Sequence, residues 1–142
     1  GLNQFKKLNY MKKIRAYNRN KIINLIKKSE NWNNQFIFFE ASKDLDPSWF
    51  GLPLILNKKL SSKKNTIINY LNKKRIETRP IISGNFLNRP AAKLYNFKNN
   101  KKKFMNSEII EKRGFFIGLP TQKINPKNLK KLVNFLLKVE KV

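Results

Sequence analysis

Three short apolar segments, each punctuated by glycine or proline, set the strongest limit on the fold: Trp49 to Leu56, Arg75 to Ile82 and Phe115 to Gly118. Each is shorter than a self-supporting helix and rich in the branched and aromatic residues that suit a pleated, half-buried surface. In the first, Phe50, Leu52, Leu54 and Leu56 share one side and Pro53 lies on the other, where the missing ladder donor argues for an edge or a bulge. In the second, Arg79 precedes Pro80, whose ring drives its neighbour out of helical geometry. The third runs from Gly114 to Gly118 and is closed by Pro120; without a G-x-G-x-x-G pattern it is a strand with glycine ends, not a phosphate cradle.

The intervening sequence has helical spacing. Residues 2 to 29 place Leu2, Phe5, Leu8, Met11, Ile22, Leu25 and Ile26 mostly three and four apart, which predicts one long amphipathic helix. Its start has no cap and no preceding turn, as expected of a cut inside a longer protein. Asn31 to Asn34 breaks the pattern, and Phe36 to Phe39 reads as a strand or a packed connector. Ser61 or Ser62 can cap a helix that buries Ile67, Ile68 and Leu71 and ends near Lys74. Phe86 to Lys103 reads as loop with one helical turn near Ala91 to Tyr95, its Asn99 to Lys103 run solvated. Asn106 to Lys112 predicts a short helix ended by Gly114. Asn125-Pro126 is a cap followed by proline at the first helical position, and Leu129, Leu132, Val133 and Leu136 supply the core face of a last helix. The sum is one α+β domain: a small antiparallel or mixed sheet of about three strands with helices packed on one face.

The formal charge of +24 in 142 residues invites a nucleic-acid reading, since clustered cations displace counterions from phosphates. The lysines, however, are scattered as pairs over the solvent faces of helices. Lysine, asparagine and isoleucine rise together, which a genome rich in A and T also produces. A basic nucleic-acid-binding module is kept as a rival whose mark is affinity falling steeply with salt. Cysteine and histidine are both absent, which excludes disulfides, cysteine nucleophiles, Cys/His zinc sites and a histidine base from within this stretch; no metal is expected. No segment approaches the roughly 20 apolar residues of a membrane span, nor does the sequence near Gly1 suit a secretory signal, so a cytoplasmic protein without a membrane partner is expected. Asp44 and Asp46 form a period-two pair in a loop and read as solvated.

The candidate binding residues lie where the second strand opens into a polar loop. Arg79 offers paired charge-assisted hydrogen bonds to a phosphate or to sugar oxygens; its other reading is a surface pair with Glu77. Ser83, Gly84 and Asn85 combine a hydroxyl, a flexible backbone and an amide, suited either to a sugar or to an ordinary turn. Phe86 can line a pocket or fill the core, and Arg89 before Pro90 can face phosphate or solvent. Trp49 and Phe50 can stack on a ring, but an apolar strand favours core packing for both.

Several segments taken in order resemble the C-terminal small domain of the DegT/DnrJ/EryC1/StrS family. Gly1-Leu2-Asn3-Gln4-Phe5-Lys6-Lys7-Leu8 resembles the start of that family's long interdomain helix, with Phe5 in place of leucine. Ser48-Trp49-Phe50-Gly51-Leu52-Pro53 resembles the first strand of the domain, and Ile76-Glu77-Thr78-Arg79-Pro80 the strand after its helix. Ile82-Ser83-Gly84-Asn85-Phe86 followed by Arg89-Pro90 is similar to the keto-deoxysugar 3-dehydratase branch, whereas the aminotransferases carry a histidine-containing loop there. The resemblance implies residues 1–30 as interdomain helix and 31–142 as small domain, with the large cofactor-binding domain outside this chain. It further implies pyridoxal or pyridoxamine 5'-phosphate as cofactor, a nucleotide-linked 4-keto-sugar as substrate, a homodimer, and a role in deoxysugar or lipopolysaccharide O-antigen synthesis. Loss of the C3 hydroxyl would mark a dehydratase, and delivery of an amino group an aminotransferase. The deciding lysine or histidine would belong to the large domain, so no catalytic residue is expected here. Arg79, Ser83, Gly84, Asn85 and Phe86 would form one wall of the substrate site, with Arg89 and Trp49 beside them.

Overall fold

Alternation along the strand Gly51–Leu56 (β2) sends Leu52, Leu54 and Leu56 into a core where each is essentially inaccessible to solvent. In the computed structural model, which describes residues 1–95 and 104–142, β2 is central to a four-stranded antiparallel sheet. Its neighbours are Phe36–Phe38 (β1) and Gly114–Gly118 (β4), and β4 carries Thr78–Arg79 (β3) on its far side, giving the order β1-β2-β4-β3. The fold is α+β, with one strand more than the sequence suggests because the Phe36 segment pairs with β2. The middle apolar segment contributes less strand than its length implies. Arg75 has a φ of 62°, and pairing is confined to Thr78 opposite Ile117 and Arg79 opposite Phe116.

Helices Leu8–Lys27 (α2), Lys64–Lys73 (α3) and Pro126–Leu137 (α5) contribute Ile22, Ile26, Ile67, Leu71, Leu129, Val133 and Leu136 to the same core as Leu52, Leu54, Phe115 and Ile117. The start of α5 follows from sequence chemistry: the Asn125 side chain accepts the Lys127 N–H at 2.9 Å, and Pro126 occupies the first turn. The start of α3 does not follow the serines. Asn57 caps a 3-10 turn, Lys58–Lys63, that holds Ser61 and Ser62 within it and runs directly into α3.

The long first helix is interrupted. A short turn of helix, Leu2–Phe5 (α1), precedes α2, and Leu2, Phe5 and Leu8 are exposed, contrary to their place in the apolar pattern. The buried face of α2 comprises Ile14, Asn18, Arg19, Ile22, Ile23 and Ile26, while Leu25 points outward. Asn18 is buried because it ties the chain after β4 to α2: its Nδ2 donates to the Pro120 and Gln122 carbonyls at 3.1 and 2.8 Å, and its Oδ1 accepts the Ile124 N–H. Arg19 donates to the Phe39 carbonyl and lies 4.2 Å over the Trp49 ring, fastening the β1–β2 connection.

Not every helix lies on the core face. Met105–Arg113 (α4) packs on β2 and β4 near Ile55 and Gly114, which are paired on the sheet's outer face. A side chain at Gly114 would come within 2.5 Å of the Ile110 carbonyl oxygen. The turn expected near Ala91 to Tyr95 is a 3-10 helix, Pro90–Tyr95, and the Asn99 to Lys103 run lies outside the described residues.

Candidate functional site

The outer face of the sheet carries an open surface at the end that α4 leaves clear. Pairing puts Arg79 beside Phe116, and Phe116 beside Pro53, on this face. Three adjoining hollows follow from that arrangement. The first, about 330 Å³, is lined by Arg15, Phe50, Glu77, Arg79, Phe116 and the chain after β4. The second, about 400 Å³, shares Phe50 and Phe116 and is walled by Trp49, Pro53, Ile81 and Ile82. The third, also about 400 Å³, shares Ile81 and Ile82 and adds Lys64, Ser83, Gly84, Arg89 and Glu111. Arg79 and the Ser83 loop therefore open on one continuous surface, at opposite ends of an apolar floor.

Arg79 is ion-paired with Glu77, its Nε and a terminal nitrogen 2.9 and 2.8 Å from Glu77 Oε1, and both side chains are largely exposed. Such a pair is weak and exchangeable in water, so it leaves the guanidinium available to a stronger anion. Arg15 reaches the same hollow from α2, donating to the Leu119 carbonyl at 3.3 Å with its guanidinium 5.6 Å from the Phe50 ring centre. No local sequence signal marks Arg15, which lies in the middle of a helix and far along the chain from Arg79.

The loop is built differently from its sequence reading. The Ile82–Ser83 peptide is cis, and Gly84 takes a φ of 70°, a conformation natural to glycine. Ser83 and Gly84 line the third hollow, and Ile82 is 88% exposed between hollows. Asn85, by contrast, is turned inward with 3% of its surface exposed. Its Nδ2 donates to Glu108 Oε2 at 3.0 Å, its N–H to Glu111 Oε2 at 2.7 Å, and its Oδ1 accepts the Leu87 N–H, capping the 3-10 turn Phe86–Asn88. Phe86 is partly exposed at the start of that turn. Arg89 pairs with Glu111 at 2.9 Å while lining the hollow. Trp49 is partly buried against the core, under Arg19, and one edge lines the apolar hollow. Asp46 is exposed and ion-paired with Lys12.

Lys64 is a further cation that the sequence did not single out. Its Nζ donates to the Glu111 carbonyl at 2.7 Å, and partial burial lowers its pKa below the usual lysine value while Glu111 pulls it back up. Glu108 is shifted the other way, from an ordinary 4.5 to about 2, first by the Asn85 side-chain hydrogen bond, then by those of Asn88 and Lys112. Because the folded value lies below the unfolded one, this contact supports the loop above the unfolded pKa and loses that support as pH falls toward 2. The side-chain amide signals of Asn85 and Asn88 should accordingly titrate in NMR with a midpoint near 2. A midpoint at the ordinary value would show that the carboxylate does not hold them.

The fold is shared with part of pyridoxal-phosphate enzymes of known structure. The structure of E. coli GDP-4-keto-6-deoxy-D-mannose-3-dehydratase with bound hydrated PLP superposes with a TM-score of 0.73 at 25% identity, covering 97% of this chain and 33% of that one. A proposed sugar aminotransferase from Streptococcus pneumoniae, Spr1654 in its PMP form, superposes at 0.79 over 99% of this chain and 33% of its own, and at 13% identity shares the fold alone. In sequence, GDP-4-keto-6-deoxy-D-mannose 3-dehydratase of Escherichia coli O55:H7 is 36% identical over 76 residues, 51% of this chain and 19% of that protein. Lipopolysaccharide biosynthesis protein RfbH of Salmonella typhimurium is 30% identical over 84 residues, 56% of this chain and 18% of its own length. No family model matches the chain. Its likenesses in sequence and in fold are thus to nucleotide-sugar 3-dehydratases and, in fold alone, to a sugar aminotransferase. The chain spans less than a fifth of the curated relatives' length in these matches and about a third of the solved structures'. Among the described residues, no helix is long and apolar enough to cross a membrane.

Proposed function

We propose that this chain is the C-terminal part of a nucleotide-sugar 3-dehydratase dependent on pyridoxal or pyridoxamine 5'-phosphate, with residues 1–30 as interdomain helix and 31–142 as small domain. The enzyme serves deoxysugar and lipopolysaccharide O-antigen synthesis in the cytoplasm and works as a homodimer on a nucleotide-linked 4-keto-sugar. The observation that carries this reading is the 36% identity to a GDP-4-keto-6-deoxy-D-mannose 3-dehydratase, combined with a superposition that takes in nearly the whole chain. The donors present suit anionic and hydroxylated ligands: Arg15 and Arg79 share one hollow, and Lys64, Ser83 and Arg89 line another.

The cofactor in its aminated form, when bound, would supply the two electrons needed for loss of the C3 hydroxyl. The residues of this chain position and shield the substrate. Arg79, released from Glu77, binds a phosphate of the nucleotide, and Arg15 adds positive potential from the other side of the hollow. Ser83 orients sugar hydroxyls through its side chain. Phe50, Phe116 and Ile82 cover apolar surface and keep water from the reacting carbon.

The decisive assay supplies full-length protein with cofactor, glutamate and a 4-keto-6-deoxy nucleotide sugar. Glutamate-dependent loss of substrate with formation of a 3-deoxy product is expected. An aminated sugar that keeps its C3 hydroxyl would replace the dehydratase reading with that of a sugar aminotransferase, since both reactions turn glutamate into 2-oxoglutarate. No turnover, combined with duplex binding that weakens steeply as salt is raised, would favour the basic nucleic-acid module.

A further inference from the structure

The Ser83–Arg89 loop contributes Ser83, Gly84 and Arg89 to a hollow, yet what fixes its shape lies on α4, which opposes it. Glu111 Oε2 accepts the Asn85 N–H at 2.7 Å and an Asn88 side-chain N–H at 3.3 Å, and its Oε1 pairs with Arg89 at 2.9 Å. One turn away, Glu108 Oε2 accepts the Asn85 and Asn88 side-chain amides at 3.0 and 2.8 Å, with Lys112 on its other oxygen at 3.0 Å. The fit is close. A Cβ on Gly84 would meet the Glu111 carboxylate oxygen at 3.0 Å and its Cβ and Cγ at 3.1 Å. Lys64 in turn anchors Glu111 through its backbone carbonyl at 2.7 Å.

Hydrogen bonds to an ionised acceptor are roughly twice as strong as neutral ones, and here they converge from three residues of one short loop on two carboxylates of one helix. In a chain with only 8 acidic residues against 32 basic ones, that places two carboxylates at a single loop. Their effect is to engage Asn85 and Asn88 internally while Ser83 and Arg89 line the hollow. We propose that Glu108 and Glu111 are positioning residues for the substrate site, acting on a bound nucleotide sugar only through the conformation of the Ser83–Arg89 loop. This rests on the reading of the hollow as a nucleotide-sugar seat.

The test compares Glu111→Ala and Glu111→Gln in the full-length enzyme by hydrogen exchange at the Asn85 amide, by KM and kcat for the nucleotide sugar, and by thermal midpoint. Alanine removes both the acceptor and the charge; glutamine keeps an acceptor for the Asn85 N–H and loses the Arg89 pair. Glu111→Ala should speed Asn85 exchange by about tenfold or more and raise KM by a similar factor with kcat little changed. Glu111→Gln should restore most of the protection and part of the KM. Unaltered exchange in Glu111→Ala overturns the clamp itself. Faster exchange with an unaltered KM overturns its role in substrate binding. A wild-type enzyme with normal Asn85 protection but no affinity for nucleotide sugars overturns the functional reading instead, and the three results are distinguishable from one another.

Discussion

Replacing Arg79 with alanine in the full-length protein should lower kcat/KM for a 4-keto-sugar nucleotide by about 10- to 100-fold while leaving the thermal midpoint nearly unchanged. The two halves of that expectation come from the same geometry. The only partner found for the guanidinium among the described residues is Glu77, in an exposed pair worth under about 1 kcal/mol, so little stability is at stake. A hydrogen bond to a charged group in a bound ligand contributes about 1.5–3 kcal/mol, which is the stated range in rate. Glu77→Gln is the informative control, because it releases Arg79 without removing it and should leave kcat/KM equal or higher. Wild-type kinetics in Arg79→Ala would remove this arginine from the site and leave its pair with Glu77 as its whole role.

Phe115→Ala should cost about 3–5 kcal/mol of folding stability, visible as a large fall in the urea midpoint. Phe115 is completely buried in β4, opposite Leu54, with its ring 6.5 Å from that of Phe36 in an edge-on arrangement. It therefore links two strands that β2 separates. Domains of this size are stable by about 5–15 kcal/mol, so such a loss approaches the total. A cost below about 1 kcal/mol would mean that the three-helix face of the sheet can collapse around the void, contrary to the close packing described here.

What could be read in the sequence was whatever depends on local pattern. The buried face of β2 from Leu52 to Leu56 and that of α5 follow from period, and the start of α5 from Asn125-Pro126. Phe50, expected on the same buried side, is instead 61% exposed and meets Phe116 on the outer face. The Phe36 segment was ambiguous because three residues carry too little periodicity to separate a strand from a connector; pairing with β2 decides it. Leu2, Phe5 and Leu8 show the opposite failure, an apolar spacing that meets no opposing surface among the described residues. At the site, the position of Arg79 at a strand end was legible from Pro80. The orientation of Asn85 was not, since nothing nearby in sequence announces that Glu108 and Glu111 will face it from another helix. Arg15 and Lys64 are likewise brought to the hollows by tertiary packing alone.

The sheet ends on one side in a three-residue strand and on the other in a two-residue strand followed by proline. Such stubs offer too few free amides and carbonyls to recruit a foreign strand, which protects an otherwise aromatic, strongly β-prone sequence from polymerising edge to edge. Pairing of a foreign strand along either end of this sheet is thereby disfavoured.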